Sequence, residues 1–197
     1  MKRFRYLLIA FCILLTNQTF SQNSNNIHSV AYDKGWFFSV GGGLQISGIK
    51  SEDFIRSNVS PAFTVNTGKW LTPGVALHVG YKGFYFHTIS DNNKHYYHFY
   101  YGEVLFNVNE LINGKNISKS RWNVILHPGA GYFYNSYYSQ PNICANFGIT
   151  NSFQVFEQFE IFIDVSAIMG WDIYQGDEDI LPSCVLGLTY SLARTSH

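Results

Sequence analysis

Seven titratable residues fall at positions from which chemistry could be done: His78, Lys82, Glu103, Arg121, His127, Glu160 and Asp164. Each lies in a run where large apolar residues alternate with small or polar ones, and each is on the polar side. A period of two sends successive side chains to opposite faces of a strand. The seven therefore share one face of a sheet, and in a narrow closed barrel they meet inside. Charges removed from water must be paired or hydrogen-bonded, so the residues read as a structural polar network that fills a lumen. A gate or a proton path is the other use they could serve. Counting heights, Lys82 lies eight residues from Gly74 and Glu103 eight residues before Leu111. A Lys82–Glu103 ion pair is predicted, with His78, His127 and Asp164 in a second polar layer.

Other groupings carry less. His87, Ser90 and Asp91 share one loop, where a lipid-modifying barrel enzyme could place them, but nothing in the spacing brings a nucleophile to its base. No catalytic residue is expected. His87, His95 and His98 match no standard metal-ligand spacing, and the acidic stretch Asp172, Asp177, Glu178 and Asp179 lacks the alternation of a calcium loop. That stretch reads as solvated, with weak divalent bridging to lipopolysaccharide as its other use. No metal and no cofactor is expected. Cys144 and Cys184 are predicted to point to opposite faces of strands that are not neighbours, so both should be free thiols.

The elements that must position these residues follow from the same alternation. Lys2, Arg3 and Arg5 precede an apolar run from Leu7 to Leu15, too short to span a bilayer, and Thr19-Phe20-Ser21 offers a cleavage site. Residues 1–21 read as a secretory signal peptide and 22–35 as a polar periplasmic lead-in. Of 13 Lys and Arg against 13 Asp and Glu, three basic residues leave with the signal, so the mature chain is near −3. Nucleic acid is not an expected partner.

Residues 36–193 read as eight strands: Trp36–Ser47, a hairpin over Pro61–Phe86, Tyr96–Leu111, Arg121–Tyr134, Ile143–Gln154, Phe159–Met169 and Pro182–Leu192. The hairpin turns at Lys69–Gly74, where Pro73 and Gly74 favour reversal. Its second strand sets Val75, Leu77, Val79, Tyr81 and Tyr85 against Ala76, His78, Gly80, Lys82 and Phe84. Pro128 should distort the fifth strand on one side. Connections 2–3 and 6–7 are about four residues, the others roughly eight to thirteen, with Ile112–Ser120 an exception to the alternation of short turns and long loops.

The contents of the two faces say what surrounds the barrel. A soluble ligand-binding barrel would clothe its outside in Lys and Glu. Here only 13% of residues are charged and 18% are aromatic. One face is Gly, Ser, Asn and Thr with scattered charges, which suits a crowded interior; the other is large and uncharged, which suits lipid. Trp36, Trp70, Trp122, Phe153, Phe156 and Phe159 gather at the expected periplasmic ends. Tyr81, Tyr85, Tyr97, Tyr132 and Tyr134 gather toward the loops. Two such girdles are expected at the two interfaces. The fold class is all-β: an eight-stranded antiparallel up-and-down transmembrane barrel.

Three stretches carry a family resemblance: Gly68-Lys69-Trp70-Leu71-Thr72-Pro73-Gly74, Gly102-Glu103-Val104-Leu105-Phe106-Asn107-Val108, and Arg121-Trp122-Asn123 with Pro128-Gly129-Ala130-Gly131-Tyr132. They resemble small outer-membrane β-barrel proteins of OmpA or porin type, over most of Trp36–Leu192. The resemblance implies export to the outer membrane and handling by the barrel-assembly machinery, with outer-membrane lipid and lipopolysaccharide as surroundings. It does not extend to a peptidoglycan-binding domain. Such barrels commonly end on an aromatic residue, whereas Ala193-Arg194-Thr195-Ser196-His197 follows Leu192 here. The expected role is structural or surface interaction, with any extracellular ligand held at the loops; a narrow solute pore is the alternative.

Overall fold

A computed structural model of the protein describes residues 34–47, 58–87, 94–113, 121–136, 141–171, 173 and 178–193. The signal and the lead-in as far as residue 33, residues 88–93 with Ser90 and Asp91, and Asp172 and Asp177 lie outside the described residues, while Lys34 and Gly35, expected in the lead-in, open the first strand. Eight strands form one closed antiparallel barrel in sequence order. They are β1 (Lys34–Ile46), β2 (Val59–Thr72), β3 (Val75–His87), β4 (Lys94–Asn107), β5 (Trp122–Asn135), β6 (Pro141–Gln154), β7 (Phe159–Trp171) and β8 (Glu178–Ala193). β1 and β8 close the wall, with Val40 opposite Leu188. A Cβ at Gly43 would fall 2.0 Å from the Cys184 carbonyl oxygen, so the seam closes on a residue with no side chain.

The alternation read in the sequence is the alternation of the wall. Phe38, Leu44, Leu77, Val79, Tyr100, Ile149, Ile163, Val165 and Leu186 are exposed outside, while Ser39, Thr64, Asn66, Lys82, Glu103, His127, Asn146, Asp164 and Ser183 are buried inside. A continuous apolar exterior around a closed barrel is a lipid-facing surface, because leaving it in water would forfeit the transfer energy of every such side chain. The strands, 13 to 16 residues long, exceed the ~9–11 residues needed to cross a bilayer.

Longer strands mean shorter loops. Connections at residues 88–93, 136–140 and 172–177 fall short of the eight to thirteen expected, because β3, β4, β6, β7 and β8 continue to pair beyond the expected ends. Glu178 and Asp179 accordingly belong to β8, opposite Trp171 and Gly170, and Asp179 is buried rather than solvated. At the other end β4 stops at Asn107, and Val108–Asn113 form a short helix, α1, where strand was expected. β3 begins at Val75, opposite Phe106, so residues beyond Asn107 have no β3 rung to join. Asn107 N donates the last bond to Gly74 O at 2.9 Å, and the backbone then satisfies itself locally.

Three aromatic residues face otherwise than expected. Phe84 has φ 143° and is 51% exposed, whereas alternation placed it inside with Lys82. This is a costly backbone region for a residue with a Cβ. It turns Phe84 outward, while Phe86 beyond it is fully buried. Tyr97 is fully buried in the lumen, not in the outer girdle. Trp70 packs with Phe37 against the inner cluster of Ala76, Leu105 and Ile125, so it lines the mouth of the lumen at the turn end. Around Pro128 the β4–β5 pairing runs from Glu103–Gly129 to Phe106–Leu126 without recorded rungs between, the distortion a missing N–H produces.

Candidate functional site: the polar belt of the lumen

The lumen is layered along the barrel axis. At the loop end, side chains from β3 to β8 pack into an apolar layer that includes Phe86, Tyr97, Phe99, Phe133, Cys144, Ile168 and Leu181. Tyr97 and Phe133 stack with ring centroids 5.1 Å apart and planes 13° apart. Their polar tips are satisfied: Tyr97 OH donates to Gln45 Oε1 at 2.5 Å, and Gln45 Nε2 to the Tyr85 carbonyl at 2.8 Å. At the turn end lies the Phe37, Ala76, Leu105 and Ile125 cluster.

Between the two sits the polar belt. His78 on β3 stands directly opposite Glu103 on β4, and its Nε2 is hydrogen-bonded to Glu103 Oε2. The same oxygen meets His127 Nδ1 at 3.1 Å, and Asn146 Nδ2 donates to Glu103 Oε1. His127 Nε2 reaches Asp164 Oδ1 at 2.7 Å. Asp164 also accepts from Thr150 Oγ1 at 2.9 Å and from Ser166 Oγ at 2.7 Å. Lys82 Nζ donates to Ser166 Oγ at 2.8 Å and Ser183 Oγ at 3.2 Å. Six neighbouring strands, β3 to β8, are thus tied by one chain of hydrogen bonds. His127 faces a carboxylate with each nitrogen, a geometry an imidazolium satisfies by donating twice. With Lys82, it offsets the charges of Glu103 and Asp164 inside the belt. A Cβ at Gly148 would fall 2.4 Å from the His127 ring, so the ring has room to reach Asp164 only over glycine.

The expected Lys82–Glu103 ion pair is replaced by His78–Glu103. Lys82 stands opposite Phe99 instead. The heights were counted from Leu111, and β4 ends at Asn107. Lowering Glu103 by those four positions moves its partner from Lys82 to His78. Arg121 is exposed ahead of β5 and takes no part in the belt. Glu160, half-buried on β7, lines the cavity below it. Sequence reasoning counted Asn146, Thr150, Ser166 and Ser183 only as small lumen residues; their parity on the polar face was the signal, but no spacing says which carboxylate they meet.

The space left among these side chains, between the belt, Phe37, Trp70 and Glu160, is about 70 Å³. That is room for a few waters at ~30 Å³ each, with the aromatic layer on its loop side. Chemically the belt is a set of paired charges, and Asn146 Oδ1 is its one buried acceptor without a partner among the described residues. Ser166 Oγ donates to Asp164 and accepts from Lys82, with no bond to His127. His95 is buried and stacked on Phe86, whereas His98 is exposed outside against Tyr81; these two cannot share a metal. Among the described residues no cluster of ligands suits a metal ion. Cys144 is buried inside and Cys184 lies outside, both free.

No protein-family model matches the chain, and no curated protein matches it in sequence. Solved structures do match in fold. The surface protein NspA of Neisseria aligns over 80% of this chain and 97% of its own, with a TM-score of 0.58 at 7% identity. The outer-membrane protein OprG of Pseudomonas aeruginosa aligns over 84% of this chain and 100% of its own, with a TM-score of 0.53 at 9% identity. The chain therefore has the fold of small outer-membrane β-barrels.

Proposed function

We propose that the protein is an integral outer-membrane barrel that works through its surface, and that its interior serves to hold the barrel together. The observation behind this reading is the lumen itself, filled by an aromatic layer and a belt of paired charges. An eight-stranded interior is just wide enough for side chains to fill. The partners are those such a surface meets: outer-membrane lipid and lipopolysaccharide around the wall, the barrel-assembly machinery during insertion, and an extracellular ligand at the loops. No reaction is assigned to it. The test is planar-bilayer recording of the purified protein. The expected record is silent. Steady, reproducible channels of sizeable conductance would replace this reading with that of a narrow pore.

A further inference from the structure

The outer wall is not uniform. One row of paired residues crosses it from β1 to β5: Phe38, Thr67, Val79, Gly102 and Ala130. Its β4 and β5 members are the smallest, and above Gly102 there is open space, with only the His78 carbonyl oxygen, at 3.8 Å, within contact range of an added Cβ. The next row toward the loops is bulky, with Tyr81, Tyr100 and Tyr132 in register. A step from small to large residues leaves a groove of about 570 Å³ along the row, walled by Tyr81 and Tyr100. It is a shallow depression that opens on the apolar exterior.

The wall on the loop side of the groove is chemically distinct from the rest of the exterior. Tyr81 OH meets His98 Nδ1 at 2.9 Å, and the His98 ring stacks on Tyr134 at 6.5 Å. His98 Nε2 has no partner among the described residues. Above them Lys94 Nζ lies 4.8 Å from the centre of the Tyr85 ring. A hydroxyl of the groove wall, and beyond it an imidazole and an ammonium group, thus stand on its loop side, in the girdle where headgroups lie. Anions are drawn to such donors and apolar chains to such grooves.

We propose that this groove on β3–β5 binds one acyl chain of a lipid with an anionic phosphate headgroup, which sits at His98 and Lys94. The inference rests on the membrane reading above. Gly102 and Ala130 supply the depth, the tyrosines the wall, and the two basic side chains the headgroup preference.

The test uses the full chain folded into vesicles of phosphatidylcholine with phosphatidylglycerol, extracted in mild detergent, and read by native mass spectrometry for retained lipid. Wild type should keep one phosphatidylglycerol in preference to phosphatidylcholine by about tenfold or more, as for a charge-assisted contact of ~1.4 kcal/mol or above. Gly102→Leu fills open space, leaves the lumen untouched, and should abolish retention of either lipid. Lys94→Gln should keep the chain but lose the preference. Unchanged retention in Gly102→Leu overturns the proposal, as does a wild-type dimer that Gly102→Leu dissociates, since the occupant would then be a second copy. Failure to insert into any vesicle overturns the membrane reading, and the groove with it. Insertion without selective retention overturns the groove alone.

Discussion

Glu103 is the residue on which the lumen turns. Its two carboxylate oxygens gather His78, His127 and Asn146 from three strands, so its removal leaves several buried donors without an acceptor. Breaking a buried charged pair costs about 3–5 kcal/mol when one partner is left behind. Glu103→Ala is expected to lose stability of that order, measured by urea unfolding in lipid vesicles. The stronger check is a double-mutant cycle. Glu103 and His127 share a hydrogen bond and should couple by about 0.5–3 kcal/mol. Glu103 and Lys82 share no hydrogen bond and are joined by bonds through His127, Asp164 and Ser166, and their coupling should be smaller. A larger Lys82–Glu103 coupling would restore the direct ion pair that the register excludes.

At the scale of the element, each strand is a partition between two solvents. β7 shows it most cleanly: Ile161, Ile163 and Val165 are exposed outward, while Phe162, Asp164 and Ser166 are buried between them. Val165, opposite Ile149 and Cys184, sits midway along the strand. Val165→Arg is expected to cost about 2–4 kcal/mol in a bilayer, as an arginine does near the midplane. Asn146→Arg, pointing the other way, meets a filled lumen, since Asn146 is 2% exposed. Stability of Val165→Arg equal to wild type in vesicles would mean that the outer face is not lipid-facing. β3 shows where the partition bends: at Phe84 the backbone takes φ 143°, and the side chain that strict alternation would bury joins the outer aromatic girdle instead.

At the scale of the molecule, closure removes every strand edge, since β1 pairs with both β2 and β8. One end carries the tight Pro73–Gly74 turn, residues 155–158 and the longer α1 connection over 108–121, together with the start of β1 and the finish of β8; the other carries residues 47–58, 88–93, 136–140 and 172–177. Short turns face the periplasm in barrels of this kind and loops face outward. An epitope inserted after Ser136 is therefore expected to bind antibody on intact cells, and one inserted between Pro73 and Gly74 only after permeabilisation. The reverse pattern would invert the orientation, and with it the side on which His98 and Lys94 present their groups.

What each strand shows to each side was legible from the order of residues alone. A period of two is a local property: it needs only the order of residues, so the Val165 and Asp164 faces were legible without any partner. The eight-stranded barrel followed from eight such segments in series. The tertiary structure decided which lumen residues meet. That depends on where each strand stops, and β4 stops where β3 offers no further rung, four residues before Leu111. Lys82 lost Glu103 to His78 through that one boundary, and Asn146, Ser166 and Ser183 became partners of charges far away in sequence. It also decided the turn of Phe84, the inward placing of Trp70 and Tyr97, and the groove over Gly102. Each of these is set by neighbours across the sheet, and pairing across a closed wall is a relation among all eight strands at once.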